Sequence, residues 1–230
     1  MSLYLWLDLL AIFFPFLLSF EKNLRYYKKW GFLFSATFLT MVPFLIWDAI
    51  FIKKGIWGFN PRYLTGLELI SLPLEEILFF FVVPYASLFA FYAIRFHFPK
   101  YKVTKKLSRL ITIVLSAAAI LIAAFNIHHL YTLVNFSFFA AVLITVYCAA
   151  RELLNAFYAI FPVLLIPFFI MNGLLTGTGI VDEIVWYNPD EIMGLRLGTI
   201  PVEDIFYTFS LLVIVLVLKE WLEKLWGKSA

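Results

Sequence analysis

The sequence predicts an all-α integral membrane protein with seven transmembrane helices, arranged as two parallel three-helix repeats joined by one linking helix. Of the 230 residues, 63% are hydrophobic and only 14% carry a formal charge. A soluble domain has about a quarter of its residues charged. The apolar segments are long and not amphipathic, which favours membrane-spanning helices, and the alternating ten-residue segments of a membrane β-barrel are absent.

Seven apolar segments reach or approach the roughly 18 residues that cross a hydrocarbon core. They are Leu3 to Phe20, Gly31 to Phe51, Leu72 to Ile94, Leu110 to Ile127, Leu130 to Ala150, Leu153 to Leu175 and Ile200 to Leu218. The first segment has no basic residue before Lys22 and no small-residue cleavage motif after it. We therefore expect a retained helix and not a secretory signal.

The basic residues are concentrated at one set of helix ends. Only four of the 18 Lys and Arg residues fall at the opposite ends: Lys53, Lys54, Arg62 and Arg196. By the positive-inside rule, this predicts a multi-pass protein of the cell membrane with its N-terminus outside and its C-terminus in the cytoplasm. The same distribution explains the net charge of +3 without a nucleic-acid partner.

An internal repeat aligns residues 59–79 with residues 187–207 without a gap, at a constant offset of 128. The matched motifs are Phe59-Asn60-Pro61 with Tyr187-Asn188-Pro189, and Pro73-x-Glu75-Glu76 with Pro201-x-Glu203-Asp204. Further upstream, Asp48 is matched to Asp182. We interpret residues 1–109 and 130–230 as the two three-helix repeats. Residues 110–129 form the linking helix, whose small residues favour close packing.

The acidic pairs are the strongest candidates for chemistry. Each pair follows a proline, a residue suited to the first turn of a helix. Carboxyl groups near a helix N-terminus are stabilised by free N–H groups and by the helix dipole. A role as helix caps at the membrane surface stays open, but carboxyl groups inside a membrane are costly and favour a functional role. In each pair one acid can be ionised and structural while the other is protonated and donates.

Standard metal and cofactor motifs are missing from the sequence. Cys148 is the only cysteine, and the adjacent His128 and His129 have a poor spacing for metal ligands. Gly177-Thr-Gly179 lacks the third glycine of a dinucleotide motif. The last helix has no lysine before Lys219 on which a retinal Schiff base would form. We expect no metal and no cofactor.

The two acidic motifs, the Trp47-Asp48 dipeptide and the duplicated three-helix units resemble the membrane-embedded lycopene β-cyclases of bacteria, archaea and fungi. The resemblance implies redox-neutral cyclisation of the psi ends of lycopene by protonation, ring closure of a carbocation and loss of a proton. It assigns six candidate catalytic residues: Glu75, Glu76, Glu203, Asp204, Asp48 and Asp182. The second repeat departs from the first, with Asp204 in place of Glu76 and Val181 before Asp182.

The residues around the acids are candidates for substrate binding. They are Pro73, Pro201, Asn60, Asn188, Phe79, Phe80, Phe206 and Tyr207, of which the aromatic members can stabilise a cation. The expected partners are lycopene and the lipid bilayer, and a homo-oligomer stays open. The same residues leave open a proton-coupled transporter and a related isoprenoid-end hydratase. The absence of close Asp-rich motifs disfavours an isoprenoid diphosphate transferase.

Overall fold

The computed structural model describes residues 2–227, and this part of the chain contains seven α-helices. They are α1 Leu3–Leu18, α2 Trp30–Lys53, α3 Leu74–His97, α4 Lys105–Phe125, α5 Leu130–Ala149, α6 Arg151–Leu175 and α7 Glu203–Trp226. Helices α2 to α7 are each long and apolar enough to cross a membrane, while α1, with 16 residues, is shorter. The predicted all-α membrane fold is confirmed.

Three short β-ribbons lie at the end of the bundle where α3 and α7 begin, which we call the motif end. The first pairs β1 Trp57–Phe59 with β4 Val185–Tyr187; the second pairs β2 Glu68–Leu69 with β3 Leu72–Pro73; the third pairs β5 Arg196–Leu197 with β6 Ile200–Pro201. The last two ribbons are hairpins that lead directly into α3 and α7. The β1–β4 ribbon joins the connecting segments of the two halves.

The β1–β4 ribbon depends on a glycine. Gly58 lies opposite Trp186 in the antiparallel register, and a Cβ added at Gly58 would collide with the Trp186 ring. The absence of a side chain at this position therefore lets the indole cross the ribbon.

The two acidic motifs begin their helices in a slightly different way from the prediction. Pro73 and Pro201 lie in β3 and β6, and not in the first helical turn. Leu74 N–H donates to the Leu67 carbonyl at 2.8 Å, as Val202 N–H does to Leu195 at 3.0 Å. The prolines end the hairpins, where a missing N–H costs no ladder bond, and the acids that follow occupy the first turn of each helix.

The same offset of 128 recurs in the backbone contacts of the two halves. Asn60 N–H donates to the Ile184 carbonyl at 2.8 Å, and Asn188 N–H donates to the Ile56 carbonyl at 2.8 Å. Helix α1 packs against α3 as α5 packs against α7, and α2 packs against α7 as α6 packs against α3. Each half therefore completes its packing with a helix of the other. The domain boundaries stay a prediction.

The opposite, basic end of the bundle holds a buried lysine. The Lys219 ammonium lies 4.6 Å from the centre of the Tyr92 ring and contacts the carboxylates of Glu220, at 3.2 Å, and Glu223. The Tyr92 hydroxyl donates to Glu220 at 2.5 Å. Because the ammonium is fully buried, these partners compensate its loss of hydration.

Candidate functional site

A small cavity lies at the motif end, between the two halves. Its volume is about 60 Å³, and its walls come from α1, α2, α3, α5, α6, α7 and the β1–β4 ribbon. The lining residues are Tyr4, Asp48, Trp57, Phe59, Glu76, Phe79, Tyr131, Asn172, Leu175, Thr176, Val185, Tyr187, Asp204, Tyr207 and Thr208. Three carboxyl groups and seven aromatic side chains therefore face one space.

Two of the carboxyl groups are neighbours on the first-half side of the cavity. Asp48 comes from the last turns of α2 and Glu76 from the first turn of α3, and both are buried. Their carboxyl groups lie within hydrogen-bonding reach of each other. The Tyr4 hydroxyl donates to Glu76 Oε2 at 2.7 Å, and the Tyr207 hydroxyl donates to Asp48 Oδ1 at 3.1 Å.

The third carboxyl group, Asp204 at the start of α7, is held by two phenol hydroxyls. Tyr131 donates to its Oδ1 at 2.7 Å and Tyr187 to its Oδ2 at 2.9 Å. Burial and the adjacent Asp204 carboxyl raise the pKa of Tyr187 well above its usual range. The Tyr187 hydroxyl therefore stays protonated and available as a donor.

The first acid of each pair lies outside the cavity lining. Glu75 Oε1 accepts from the Ser2 hydroxyl at 2.7 Å and from Thr65 N–H at 2.6 Å. Glu203 Oε1 accepts from the Thr132 hydroxyl at 2.6 Å and from Met193 N–H at 2.9 Å. Each of these acids thus ties the loop before its hairpin to the start of a neighbouring helix, while Glu76 and Asp204 face the cavity.

Of the four aromatic residues predicted to bind substrate, two line the cavity and two lie outside its lining. Phe79 and Tyr207 line the cavity, whereas Phe80 is buried behind it against Phe44 and Phe206 packs against Phe136. Trp57, which was not among the predicted site residues, is buried in the cavity wall, because it lies in the β1–β4 ribbon that closes this end.

The structure contradicts the matching of Asp48 with Asp182. Asp182 is exposed in the loop after α6, where it forms an ion pair of 3.8 Å with Arg62. The polar side chain that faces the cavity from α6 is Asn172. The match rests on the shared pattern of Asp48-Ala-Ile50 and Asp182-Glu-Ile184, but a residue on the helix occupies the equivalent place.

Four further candidates for substrate binding do not line the cavity. Asn60 and Asn188 accept hydrogen bonds at 3.1 Å from the N–H groups of Arg62 and Asp190 and so cap short 3-10 turns. This is the turn-forming use of asparagine. Pro73 and Pro201 are the buried ends of the hairpins, as described above. These four residues shape the site from outside.

Most of the cavity lining consists of residues that occupy matching places in the two halves. The matched pairs are Tyr4 and Tyr131, Asp48 and Asn172, Trp57 and Val185, Phe59 and Tyr187, Glu76 and Asp204, and Phe79 and Tyr207. The cavity therefore lies on the approximate two-fold relation between the halves. Its carboxyl groups come mainly from the first half and its tyrosines mainly from the second.

Sequence reasoning missed Tyr4, Tyr131 and Tyr187. A signal for the first two was present, since both helices begin with the dipeptide Leu-Tyr, at Leu3 and Leu130. Tyr187 lies within the aligned repeat, where its place in the Tyr187-Asn188-Pro189 motif indicates only a turn. No group of three or more potential metal ligands occurs within residues 2–227.

The fold and the cavity define a class of protein: a multi-pass membrane protein with a small cavity between two similar halves, lined by carboxyl, phenol and other aromatic groups. The family model for lycopene cyclase matches residues 1–94 and 128–222, which is most of the chain. The protein therefore belongs to the lycopene cyclase family.

Two curated fungal proteins are similar over short regions, and both are named bifunctional lycopene cyclase/phytoene synthase. The one from Neurospora crassa is 35% identical over 57 residues, 25% of this chain and 9% of that protein. The one from Pyrenophora tritici-repentis is 35% identical over 66 residues, 29% of this chain and 11% of that protein. The matched regions thus span about a tenth of these relatives. No solved structure matches the chain.

Proposed function

We propose that the protein is a lycopene β-cyclase, which converts the psi ends of lycopene to β-ionone rings without net redox change. Family membership supports a lycopene-type substrate. The observation that carries the proposal is the cavity, where the Asp48 and Glu76 carboxyls face a tyrosine-bound Asp204 across aromatic walls. Cyclisation through a carbocation needs an acid, a base and the exclusion of water, and this arrangement offers the acid and the base.

The Asp48–Glu76 pair is the proposed acid. Two carboxyl groups within hydrogen-bonding reach can bond to each other only when one carries a proton. Charge repulsion in an apolar enclosure also prevents both from ionising. The pair gives its proton to the terminal alkene of the psi end, which leaves a tertiary cation. The hydroxyls of Tyr4 and Tyr207 hold the two carboxyl groups in place.

Asp204 is the proposed base. Its two oxygens each accept a phenol hydroxyl, an arrangement that favours the carboxylate form. After the internal alkene attacks the cation and closes the ring, Asp204 removes a ring proton and the C–H electrons form the ring double bond. One proton enters and one leaves per ring, so the reaction balances without an oxidant or a reductant.

The aromatic walls are proposed to stabilise the cation. Trp57, Phe59 and Phe79 line the cavity beside the carboxyl groups, and the faces of aromatic rings attract positive charge. The carboxyl groups that can offset the positive charge are the Asp48–Glu76 pair and Asp204. The aromatic rings therefore stabilise the cation further without adding a stronger base.

Substrate entry requires a more open arrangement than the one described. A cavity of about 60 Å³ has room for a few water molecules, and a psi end is larger. We propose that the polyene enters from the bilayer between helices and that closure around it excludes water.

We also propose that the motif end faces outside and the basic end faces the cytoplasm. Cys148 offers a test, because it is exposed and lies in the groove at the basic end. A membrane-impermeant thiol reagent should label it in inverted vesicles and not in intact cells, with a Cys148→Ser variant as the background. Labelling from the outside of intact cells would reverse the proposed orientation.

The function is tested by expressing the chain in a lycopene-accumulating bacterium and separating the pigments. A cyclic product of the same mass as lycopene is expected. A product heavier by one water molecule would instead identify a hydratase. Unchanged lycopene in a strain with verified membrane insertion would contradict both, and proton flux in liposomes without a colour change would favour the transporter.

A further inference from the structure

The basic end of the bundle carries a groove that is much larger than the cavity at the motif end. Its volume is about 1290 Å³, and its walls come from the start of α2, the ends of α3, α5 and α7, and the start of α6. Pockets for small molecules occupy roughly 300–1,000 Å³, so the space exceeds what a compact ligand needs. We call it the basic groove.

The carboxylates that line the basic groove are already neutralised by lysines. Glu152 forms an ion pair of 3.4 Å with Lys102, which lines the groove with it. Glu220 and Glu223 both contact the ammonium of Lys219, which is fully buried beneath the surface of the groove. These three acids therefore do not offset the charge of the remaining basic residues.

Three basic residues of the groove form no ion pair with any carboxylate in residues 2–227. They are Arg95, Arg151 and Lys224. The Arg151 guanidinium is held in place, because it lies 4.8 Å from the centre of the Tyr147 ring and its Nη2 donates to the Lys105 carbonyl at 2.8 Å. A positioned guanidinium suits a phosphate group, to which it can donate two parallel hydrogen bonds. The uncompensated charge of the groove favours an anion.

The apolar wall of the basic groove distinguishes a lipid from a free anion. Phe32, Leu153 and Val217 line it, together with Trp221, which is 55% exposed. Val217 lies seven residues before Lys224 on α7, which places it about 10 Å further towards the membrane interior. Tryptophan rings are typical of the headgroup level of a bilayer. The groove thus combines basic groups at the helix ends with an apolar surface below them.

We propose that the basic groove binds one anionic phospholipid. Its phosphate contacts the guanidinium groups of Arg95 and Arg151, and the upper part of its acyl chains covers the apolar wall along α7. Basic pockets between transmembrane helices bind anionic headgroups in this way. A free phosphate shares the chemistry of the headgroup but leaves the apolar wall uncovered. The inference does not rest on the proposed function or on the proposed orientation.

The test measures lipid binding to the purified full chain in a neutral detergent. Dioleoyl phosphatidylglycerol is titrated, and native mass spectrometry counts the bound lipid. We expect one phosphatidylglycerol molecule to bind before any others, and more tightly than dioleoyl phosphatidylcholine does. Arg95→Gln removes an exposed charge and should weaken this step about fivefold, the equivalent of about 1 kcal/mol. Arg109→Gln makes the same change at an exposed position outside the groove and should leave it unchanged.

Arg151→Gln should weaken binding as Arg95→Gln does, and Arg151→Lys, which keeps the charge, should weaken it less. If Arg151→Gln does not fold because its bond to Lys105 is lost, Arg95→Gln and Lys224→Gln still decide the question. Equal binding of the two lipids, or an equal loss in Arg109→Gln, would overturn the inference. Inorganic phosphate should not displace the lipid. Displacement by phosphate would identify a site for the free anion and reject the lipid.

Discussion

Replacing Glu76 with Gln should nearly abolish turnover, whereas replacing Glu75 with Gln should not. The two residues are adjacent and buried, and the two substitutions are chemically identical. They differ in what the carboxyl group faces, since Glu76 lines the cavity and Glu75 binds Ser2 and Thr65. The comparison therefore separates a proton-transfer role from a structural one.

The expected magnitude follows from the contacts of Glu76. The Gln amide oxygen still accepts from Tyr4, but its NH₂ group donates to Asp48, which also accepts from Tyr207. Both contacts favour Asp48 as a carboxylate, so the substitution removes the proton from the whole pair. Loss of general acid catalysis costs about 10²- to 10⁴-fold in rate. At 1.36 kcal/mol per tenfold, this is roughly 3–5 kcal/mol of transition-state stabilisation.

The assay is the rate of lycopene consumption in membranes, normalised to the amount of inserted protein. In Glu75→Gln the amide oxygen keeps the bonds from Ser2 and Thr65, and turnover should fall by less than about tenfold, the effect of one weakened hydrogen bond. The reasoning would be refuted if Glu75→Gln lost as much activity as Glu76→Gln, or if Glu76→Gln stayed within tenfold of the wild type.

Three further substitutions test other parts of the structure. Tyr187→Phe removes one of the two hydroxyls that bind Asp204. It should raise the activation free energy of turnover by about 1.5–3 kcal/mol and leave the thermal stability unchanged. A similar loss of both turnover and thermal stability would indicate a folding defect. Gly58→Ala should destabilise the solubilised protein by about 1–3 kcal/mol because its Cβ meets the Trp186 ring, and adding Trp186→Ala should recover stability. Lys219→Met should cost about 1–2 kcal/mol, since its carboxylate partners are partly exposed, while turnover per inserted protein is unaffected.

The acidic motifs show which features of the site a repeat in the sequence can predict. Because the pair Glu75-Glu76 and the pair Glu203-Asp204 recur at a fixed offset, the sequence predicts that the two motifs lie close together, and one acid of each, Glu76 and Asp204, lines the same cavity. The sequence does not predict which acid of each pair faces the cavity. Adjacent residues on a helix point about 100° apart, and only the packing of α1 and α5 decides which of them faces inward.

Asp48 and Asn172 show the limit of matching residues by local sequence pattern alone. The pattern Asp-x-Ile matches Asp48 to the loop residue Asp182, although Asp48 lies 11 residues before Phe59 and Asp182 lies 5 residues before Tyr187. The equivalent place on α6 belongs to Asn172. The connecting segments of the two halves differ in length, so the distance along the chain does not fix the position along a helix.

The membrane fold of this protein was determined by the sequence itself, since long apolar segments can satisfy their backbone groups in a bilayer only as helices. The positions of the two acidic motifs at the starts of α3 and α7 followed from the same pattern. The cavity was decided by the tertiary structure. Tyr4, Tyr131 and Trp57 reach it only because the halves pack against each other and the β1–β4 ribbon closes the motif end, and contacts between distant segments leave no periodic signal in a chain.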